Sequence, residues 1–280
     1  MTLAAQTVGA ALSRAYTAGG CVLGAIFGTG TNGAYLEQVA NITKLGNNPA
    51  AAEGGAMMVN TEWGAFDNGR AVLPRTPFDN KVDRESINPS FQAYEKFISG
   101  MYLGEITRNV LLALVDAAPQ PILFGGIATE RLNKHYGLDT EMLSLVESAW
   151  RADAPKGDSE EENATLRDFS APLVEERIAP ATLRRLNRVR EIVQEQLGYA
   201  PGEVSLRDAA IVRWAAALVV RRAARLSACA VATVALQMGY VTGLGKEARA
   251  AAPSAVRKPY SIGIDGRWVL GLVSVVGWRD

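Results

Sequence analysis

The sequence contains few of the residues on which several classes of protein depend. Its two cysteines, Cys21 and Cys229, lie far apart and lack CxxC spacing. This spacing disfavours a disulfide framework and a zinc site, and it fits a reducing compartment better than a secreted one. Basic and acidic residues balance at 29 each. No global field would attract nucleic acid, so we expect no nucleic-acid partner.

Long apolar runs and a basic N-terminal segment are also lacking. No lysine or arginine precedes the first apolar residues, whereas a secretory signal begins with such residues. The most apolar stretch, Trp268–Trp278, is shorter than the roughly 20 residues that a bilayer-spanning helix needs. The sequence therefore predicts a cytoplasmic protein with no membrane span.

The chain has 280 residues with an apolar share of 48%, which is enough for a sizeable core. Hydrophobic periodicity predicts strands first, helices after them and one further strand, a pattern that favours an α/β or α+β domain. The predicted elements are a helix over 6–18, strands over 21–27, 34–42 and 56–63, a helical region from 79 to about 116, a helix over 139–149, a solvated loop over 151–165, a long helix from Ser205 to about Met238, and a strand over 260–266.

Within the helical region, the pair Asn88-Pro89 is typical of a helix start. The two prolines of APQP (118–121) end the region, because proline cannot continue a helix. The apolar residues after Pro89 recur at helical spacing and predict one buried face. This face is made of Phe91, Tyr94, Phe97, Ile98 and Met101.

A glycine-rich segment, GTGTN (28–32), follows the first predicted strand. Gly28 and Gly30 permit a close backbone approach, so that successive amides can point at an anion such as phosphate. Thr29 adds a hydroxyl, and Asn32 adds an amide that both donates and accepts hydrogen bonds. The alternative is a hairpin without a ligand, which short glycine motifs form more often.

Three more polar residues lie near predicted strand or helix ends. Glu62 precedes Trp63, whose bulk would shield a carboxylate suited to accept hydrogen bonds from two neighbouring sugar hydroxyls. Gln92 and Glu95 are three residues apart, so they share one helix face and could converge on a ligand. Each could equally be a solvated surface residue, and the residues alone leave both interpretations open.

Taken together, these segments resemble the hexokinase family, most closely the fungal-type glucokinases. The order GTGTN, NTEWGAF and NP-x-x-Q-x-x-E-K is similar to that family, with about thirty residues between successive parts. SGMYLGEITR (99–108) and the helix over 208–232 are similar as well. The resemblance covers roughly residues 6–149 and 205–266.

The resemblance implies an actin-like, ribonuclease-H-like α/β kinase fold that closes over glucose and ATP. Residues 1–266 would form the large domain of this fold, and 267–280 would be a divergent tail. The implied activity is that of a glycolytic hexose kinase, which transfers the γ-phosphate of ATP, with Mg²⁺, to the 6-hydroxyl of glucose or a related hexose.

Site residues carried over from the family fall into two groups. Asn32, Glu62 and Glu95 match positions that hydrogen-bond the hexose, with Gln92 close by. Thr29, between Gly28 and Gly30, matches a phosphate loop, and further nucleotide contacts match Gly100, Thr140 and Ser144. No protein residue is implied as a metal ligand.

The chain departs from the family at the catalytic base. The family has an aspartate in Asn-Asp-Thr-Val-Gly-Thr, and the matching stretch AAQTVGA (4–10) has Gln6 there. An amide cannot accept the sugar's proton at neutral pH. The family's first phosphate loop and most of its small domain, which precede this motif, have no counterpart in the sequence. We therefore expect an isolated chain that is impaired or inactive, with a non-catalytic sugar- or nucleotide-binding regulatory module or a functionless fragment as the alternatives.

The tail after residue 266 predicts self-association. The segment Trp268–Trp278 is mostly apolar, contains many β-branched residues and has no charged residue. Such a stretch pairs readily with an exposed strand edge. The alternative is that it pairs with the 260–266 strand of the same chain and leaves a monomer.

Overall fold

A computed structural model describes residues 3–18, 20–152, 173, 175–240 and 261–266. They fall into two compact units, and each is treated by itself below. The first unit comprises the described residues within 1–73, 90–99 and 224–270, and the second comprises those within 74–89 and 100–223. The apolar tail over 267–280 and nearly all of the expected loop over 151–165 lie outside the described residues.

Among its described residues, the first unit is built on a four-stranded mixed sheet. The strands are β1 (Cys21–Phe27), β2 (Thr31–Gln38), β3 (Ala56–Asn60) and β4 (Ser261–Asp265). Their order in the sheet is β3–β2–β1–β4. Strand β1 pairs antiparallel with β2 and parallel with β4, and β2 pairs antiparallel with β3.

Strand β2 begins earlier than the sequence predicts. The turn before it is only three residues long, and pairing resumes at once with Phe27 opposite Thr31 and Ile26 opposite Asn32. The strand also ends earlier, because the chain turns into a 3₁₀ helix over Val39–Asn41. Asn32, expected in a loop, therefore lies within a strand, where neighbouring strands fix its backbone.

Helix α1 (Leu3–Ala18) packs directly on this sheet. A Cβ atom added to Gly24 of β1 would overlap the carbonyl oxygen of Thr7, and one added to Gly263 of β4 would overlap that of Ala10. Because both strands have glycine at these positions, the helix backbone can approach the sheet more closely than side chains would allow.

The remaining α-helices of the described residues are α2 (Pro49–Glu53), α3 (Pro77–Glu85), α4 (Ala93–Ile98), α5 (Gly100–Val115), α6 (Glu130–Asn133), α7 (Thr140–Arg151), α8 (Pro180–Leu197) and α9 (Leu206–Gln237). Helix α9 begins in the second unit and ends in the first. No helix among the described ranges is long and apolar enough to cross a membrane.

Two of the predicted helix starts are confirmed, and one is wrong. Asp139 caps α7, and Ser205 exchanges hydrogen bonds with Asp208 at the start of α9, as the sequence predicts. Asn88 starts no helix, because the backbone at Ser90 and Gln92 is left-handed and α4 begins only at Ala93.

The predicted apolar face is correspondingly wrong in part. Tyr94, Phe97 and Ile98 are buried, whereas Phe91 and Met101 are 56% and 41% exposed. Phe91 precedes α4, and Met101 belongs to α5, which begins after a break at Ser99. Residues whose spacing matches one helical period therefore belong to two helices and a turn.

Candidate functional site

Two strands of the first unit bring amide and carboxylate groups together. The side-chain amide nitrogen of Asn32, which is buried, donates to Asn60 Oδ1 at 2.8 Å and to Glu62 Oε1 at 3.2 Å. Asn60 Nδ2 donates to the same Glu62 oxygen at 2.5 Å. The Glu62 side chain is exposed but held in one direction by two donors.

Glu95 approaches the same strand from helix α4. Its Oε2 accepts the backbone N–H of Thr31 at 2.8 Å. The pKa of the Glu95 carboxyl is raised, and burial is the largest cause. The hydrogen bond from the Thr31 N–H lowers this pKa, whereas the charge of Glu62 raises it further. The charge of Glu62 therefore acts on the Glu95 carboxyl, and both side chains contact β2 at neighbouring residues, Thr31 and Asn32.

The Trp63 side chain packs against β1 and β2 near Asn32 and Glu62. Its ring stacks on Phe27 with centroids 5.9 Å apart, and its Nε1–H donates to Thr31 Oγ1 at 3.0 Å. A Cβ atom on Gly33 would overlap the Trp63 ring, so the ring lies flat on the strand. The expectation that Trp63 shields Glu62 from water is wrong, because Glu62 is exposed; the contacts of the indole with Phe27 and Thr31 hold it against the strand instead.

Gln92 offers an unused acceptor. Its Oε1 is buried and accepts no hydrogen bond from any described residue. The side chain lies over Gly64, where an added Cβ would come within 3.0 Å of that oxygen. A buried amide oxygen without a donor costs free energy, so this position suits a ligand hydroxyl that supplies one. Asn32, Glu62, Gln92 and Glu95 are called the polar cluster below.

Backbone strain concentrates around the polar cluster. Glu62 and Gln92 both have left-handed backbone angles, with φ of 48° and 51°. Such angles are uncommon for residues other than glycine and cost of order 1–3 kcal/mol each. Strain of this kind persists where the surrounding contacts fix it, and it is found at ligand sites.

The glycine turn, residues 28–30, connects β1 to β2. The Gly28 amide donates to the Gly30 carbonyl at 2.9 Å, so this amide is already used within the turn. Gly28 does not adopt a left-handed backbone. The Thr29 side chain is exposed, and its hydroxyl is therefore the group of the turn most open to an incoming phosphate.

The other proposed nucleotide contacts lie in the second unit. The buried hydroxyl of Thr140 donates to the Gly100 carbonyl at 2.6 Å and accepts the Gly104 N–H at 2.7 Å. Thr140 thus ties α7 to α5 and has little capacity left for a ligand. Ser144, one turn later on α7, is half-buried.

Gln6 occupies the first half of α1, and its side chain is exposed.

Sequence reasoning missed two residues that organise the polar cluster, Asn60 and Thr31. Both lie inside the quoted motifs, and alternation along the predicted 56–63 strand puts Asn60 on the same face as Glu62, although β3 ends at Asn60 and the Glu62 backbone is left-handed. The bond from Thr31 to Glu95 joins residues 64 positions apart, a distance that local patterns do not reach.

The pKa of Glu95 gives a testable pH dependence. The pKa of the Glu95 carboxyl in the folded state is raised above the ordinary value of 4.5. Above pH 4.5, ionisation of this carboxyl therefore lowers the stability of the folded state. At lower pH the destabilisation disappears, because the carboxyl is protonated in both the folded and the unfolded state. We expect Glu95→Gln to raise the melting temperature by a few degrees at pH 7, and the gain to disappear as the pH falls below 4.5.

Circular dichroism melts of both proteins across this pH range check the expectation. Glu53→Gln, at an exposed position of the same unit, measures the effect of removing a surface carboxylate. A Glu95→Gln protein that is less stable than the wild type at pH 7 would contradict the assignment.

Comparison with known proteins adds to this geometry. Residues 22–270 match the family model described as Hexokinase. The chain is 32% identical over 277 residues to the hexokinase of Schwanniomyces occidentalis, covering 98% of this chain and 49% of that protein. A glucokinase of Aspergillus niger is 44% identical over 156 residues, which are 51% of this chain and 32% of that protein.

A solved structure is similar as well. The hexokinase from Schistosoma mansoni complexed with glucose matches with a TM-score of 0.68 at 29% identity, covering 96% of this chain and 50% of that one. The chain therefore spans about half the length of the Schwanniomyces and Schistosoma proteins.

Proposed function

The chain belongs to the hexokinase family, and from that premise we propose that its polar cluster binds glucose or a related hexose. The family's structures confirm the predicted actin-like α/β fold. The assignment of residues 1–266 to the family's large domain remains a proposal, as does a cytoplasmic location.

The arrangement of the polar cluster is the observation that supports hexose binding. A hexose presents neighbouring hydroxyls, each of which donates one hydrogen bond and accepts others. Glu62 and Glu95 supply acceptors held by fixed donors, and Gln92 supplies a buried acceptor with no partner among the described residues. The flat Trp63 ring provides an apolar surface beside them, as most small-ligand sites do.

ATP is the proposed second ligand. The exposed Thr29 hydroxyl of the first unit is suited to a phosphate oxygen. Gly100 and Ser144, in the second unit, stay predictions that rest on the family resemblance alone. Mg²⁺ commonly binds through substrate phosphates and a few carboxylates, so the ion would arrive on ATP and neutralise charge on the transferring phosphate.

Gln6 limits what the bound ligands can do. Phosphoryl transfer to a sugar requires a group that orients the 6-hydroxyl and takes its proton. The Gln6 amide can orient a hydroxyl through its oxygen but cannot hold the proton. We therefore propose a chain that binds hexose and nucleotide and transfers phosphate poorly or not at all.

Glucose titration followed by NMR tests the proposal. We expect a dissociation constant of about 1 mM or weaker, near −4 kcal/mol, because an open site leaves the sugar partly solvated. Glu62→Ala and Glu95→Ala should each remove saturable binding. Glu53→Ala, an exposed carboxylate of the same unit, should leave it unchanged.

A coupled kinase assay on the same proteins separates binding from transfer. Turnover at or above roughly 1 s⁻¹, the ordinary range of kinases, would contradict the role assigned to Gln6. Micromolar glucose binding that ignores both glutamate substitutions would contradict the polar cluster.

A further inference from the structure

Helix α4, which carries Glu95, does not cap its own N-terminus. Gln92 occupies the N-cap position with a left-handed backbone and makes no side-chain cap bond. The N–H of Ala93, the first helical residue, is instead accepted by the side chain of Asn68, at 3.0 Å to Oδ1. The partner comes from a loop 25 residues earlier in the chain.

The loop that carries Asn68 is itself fixed. Asp67 Oδ1 accepts the N–H groups of Ala71 and Val72 at 2.6 and 3.1 Å, and its Oδ2 accepts that of Leu73 at 2.9 Å. Three backbone bonds to one carboxylate hold residues 67–73 in a single conformation. Asn68 can therefore act as a rigid anchor.

A ring contact fastens the same loop to α4 beside this bond. Phe66 meets Tyr94 edge to face, with centroids 6.0 Å apart, and the Tyr94 hydroxyl donates to the Leu226 carbonyl at 2.6 Å. The apolar contact and the bond from Ala93 to Asn68 are adjacent along α4. Together they set where the first turn of the helix lies.

We propose that Asn68 is a positioning residue for the hexose site. Asn68 accepts the Ala93 N–H in place of a side chain at the N-cap position. The Gln92 side chain can therefore lie over Gly64, with its Oε1 unpaired. Asn68 also fixes the helix turn from which Glu95 reaches the Thr31 amide. This inference rests on the proposed function, and it adds a residue that touches no ligand itself.

Three variants of the full 280-residue chain test the proposal. Asn68→Ala removes the acceptor and should weaken glucose binding about tenfold, the loss expected for one buried hydrogen bond that positions two contacts. Asn68→Asp keeps an acceptor oxygen, places a negative charge near a helix N-terminus and should restore binding. Asn47→Ala, at an exposed position of the same unit, controls for removal of an asparagine.

Hydrogen exchange provides a second readout that needs no sugar. In Asn68→Ala the amides of Ala93 and Thr31 should both exchange faster, because the first loses its acceptor and the second loses the fixed position of Glu95. Asn68→Asp should return both rates to those of the wild type. A purely structural role would accelerate exchange across the unit, and the two amides would not stand out.

The outcomes separate this inference from the proposed function. Wild-type chain that shows no glucose binding refutes the proposed function, and the exchange of the Thr31 amide in Asn68→Ala then decides the positioning role alone. Unchanged exchange at Thr31 in Asn68→Ala overturns the inference, as does glucose binding equal to that of the wild type.

Discussion

Replacing Glu105 by glutamine is expected to lower the free energy of unfolding by about 3–5 kcal/mol. The Glu105 side chain is fully buried in the second unit, and Arg108 binds both its oxygens, at 2.6 Å to Oε1 and 2.7 Å to Oε2. The backbone N–H of Tyr136 donates to Oε2 at 2.8 Å. Glutamine would leave the buried Arg108 guanidinium without its countercharge.

Urea denaturation followed by circular dichroism measures this loss. Glu147→Gln is the matched control, since Glu147 pairs with Arg151 at 2.6 Å in a part-exposed salt bridge whose side chains are 17% and 36% exposed, and removing one partner of such a pair costs less than removing one of a fully buried pair. The double variant Glu105→Gln/Arg108→Gln should recover part of the loss, because it removes both charges. Equal effects of Glu105→Gln and Glu147→Gln would contradict the prediction.

Glu105 also lies close to Glu85 and His135, and ligand atoms of these three residues lie within 4.8 Å of one another. This group of residues does not suit a metal ion. The Arg108 guanidinium occupies both Glu105 oxygens, and a cation placed there would lie next to a fixed positive charge. The arrangement is better explained as an ion-pair network that ties α5 to the segment around residue 135.

Gly24→Ala is expected to destabilise the first unit by about 3 kcal/mol, the upper part of the usual range for overpacking. The added Cβ would overlap the Thr7 carbonyl and come within 2.8 Å of the Ala11 amide nitrogen. Both atoms belong to the backbone of α1, so no side chain can move aside, and the helix must lift off β1.

Gly9→Ala is the matched control on the same helix. No atom lies within 4 Å of a Cβ at Gly9, and alanine is favoured over glycine inside a helix by about 1 kcal/mol. Thermal melts should therefore move in opposite directions for the two variants. A Gly24→Ala protein with the stability of the wild type would show that α1 does not lie against β1 as described.

The elements that the sequence predicts well are those whose signal is local. Strand β1 matches its prediction at both ends, Cys21 and Phe27, because a continuous apolar run is bounded by glycines. Helices α7 and α9 begin where Asp139 and Ser205 predict, since a cap is a contact between residues two or three positions apart.

The sequence alone does not reveal the contacts that assemble the polar cluster. The Glu95 bond to Thr31 and the Asn68 bond to Ala93 each join distant segments, and neither leaves a periodic signal. The backbone at Gln92 is left-handed although the residue is not a glycine, so the sequence wrongly predicts the helix start at Asn88. Helix α8 was not predicted, although its proline at the first position and Gly198 after its end are typical signals.

The hairpin of β1, the glycine turn and β2 has a consequence for insertions and deletions. Strand pairing on both sides of a three-residue turn fixes the separation between Thr29 and Asn32, so the proposed phosphate and sugar contacts of this hairpin cannot shift independently. A length change within 28–30 that shifts the pairing of β2 by one residue would turn Asn32 to the opposite face of the sheet. Segment 43–55, which joins β2 to β3 through short helical turns, carries no residue of the cluster. Length changes there would leave the spacing between the two contacts intact.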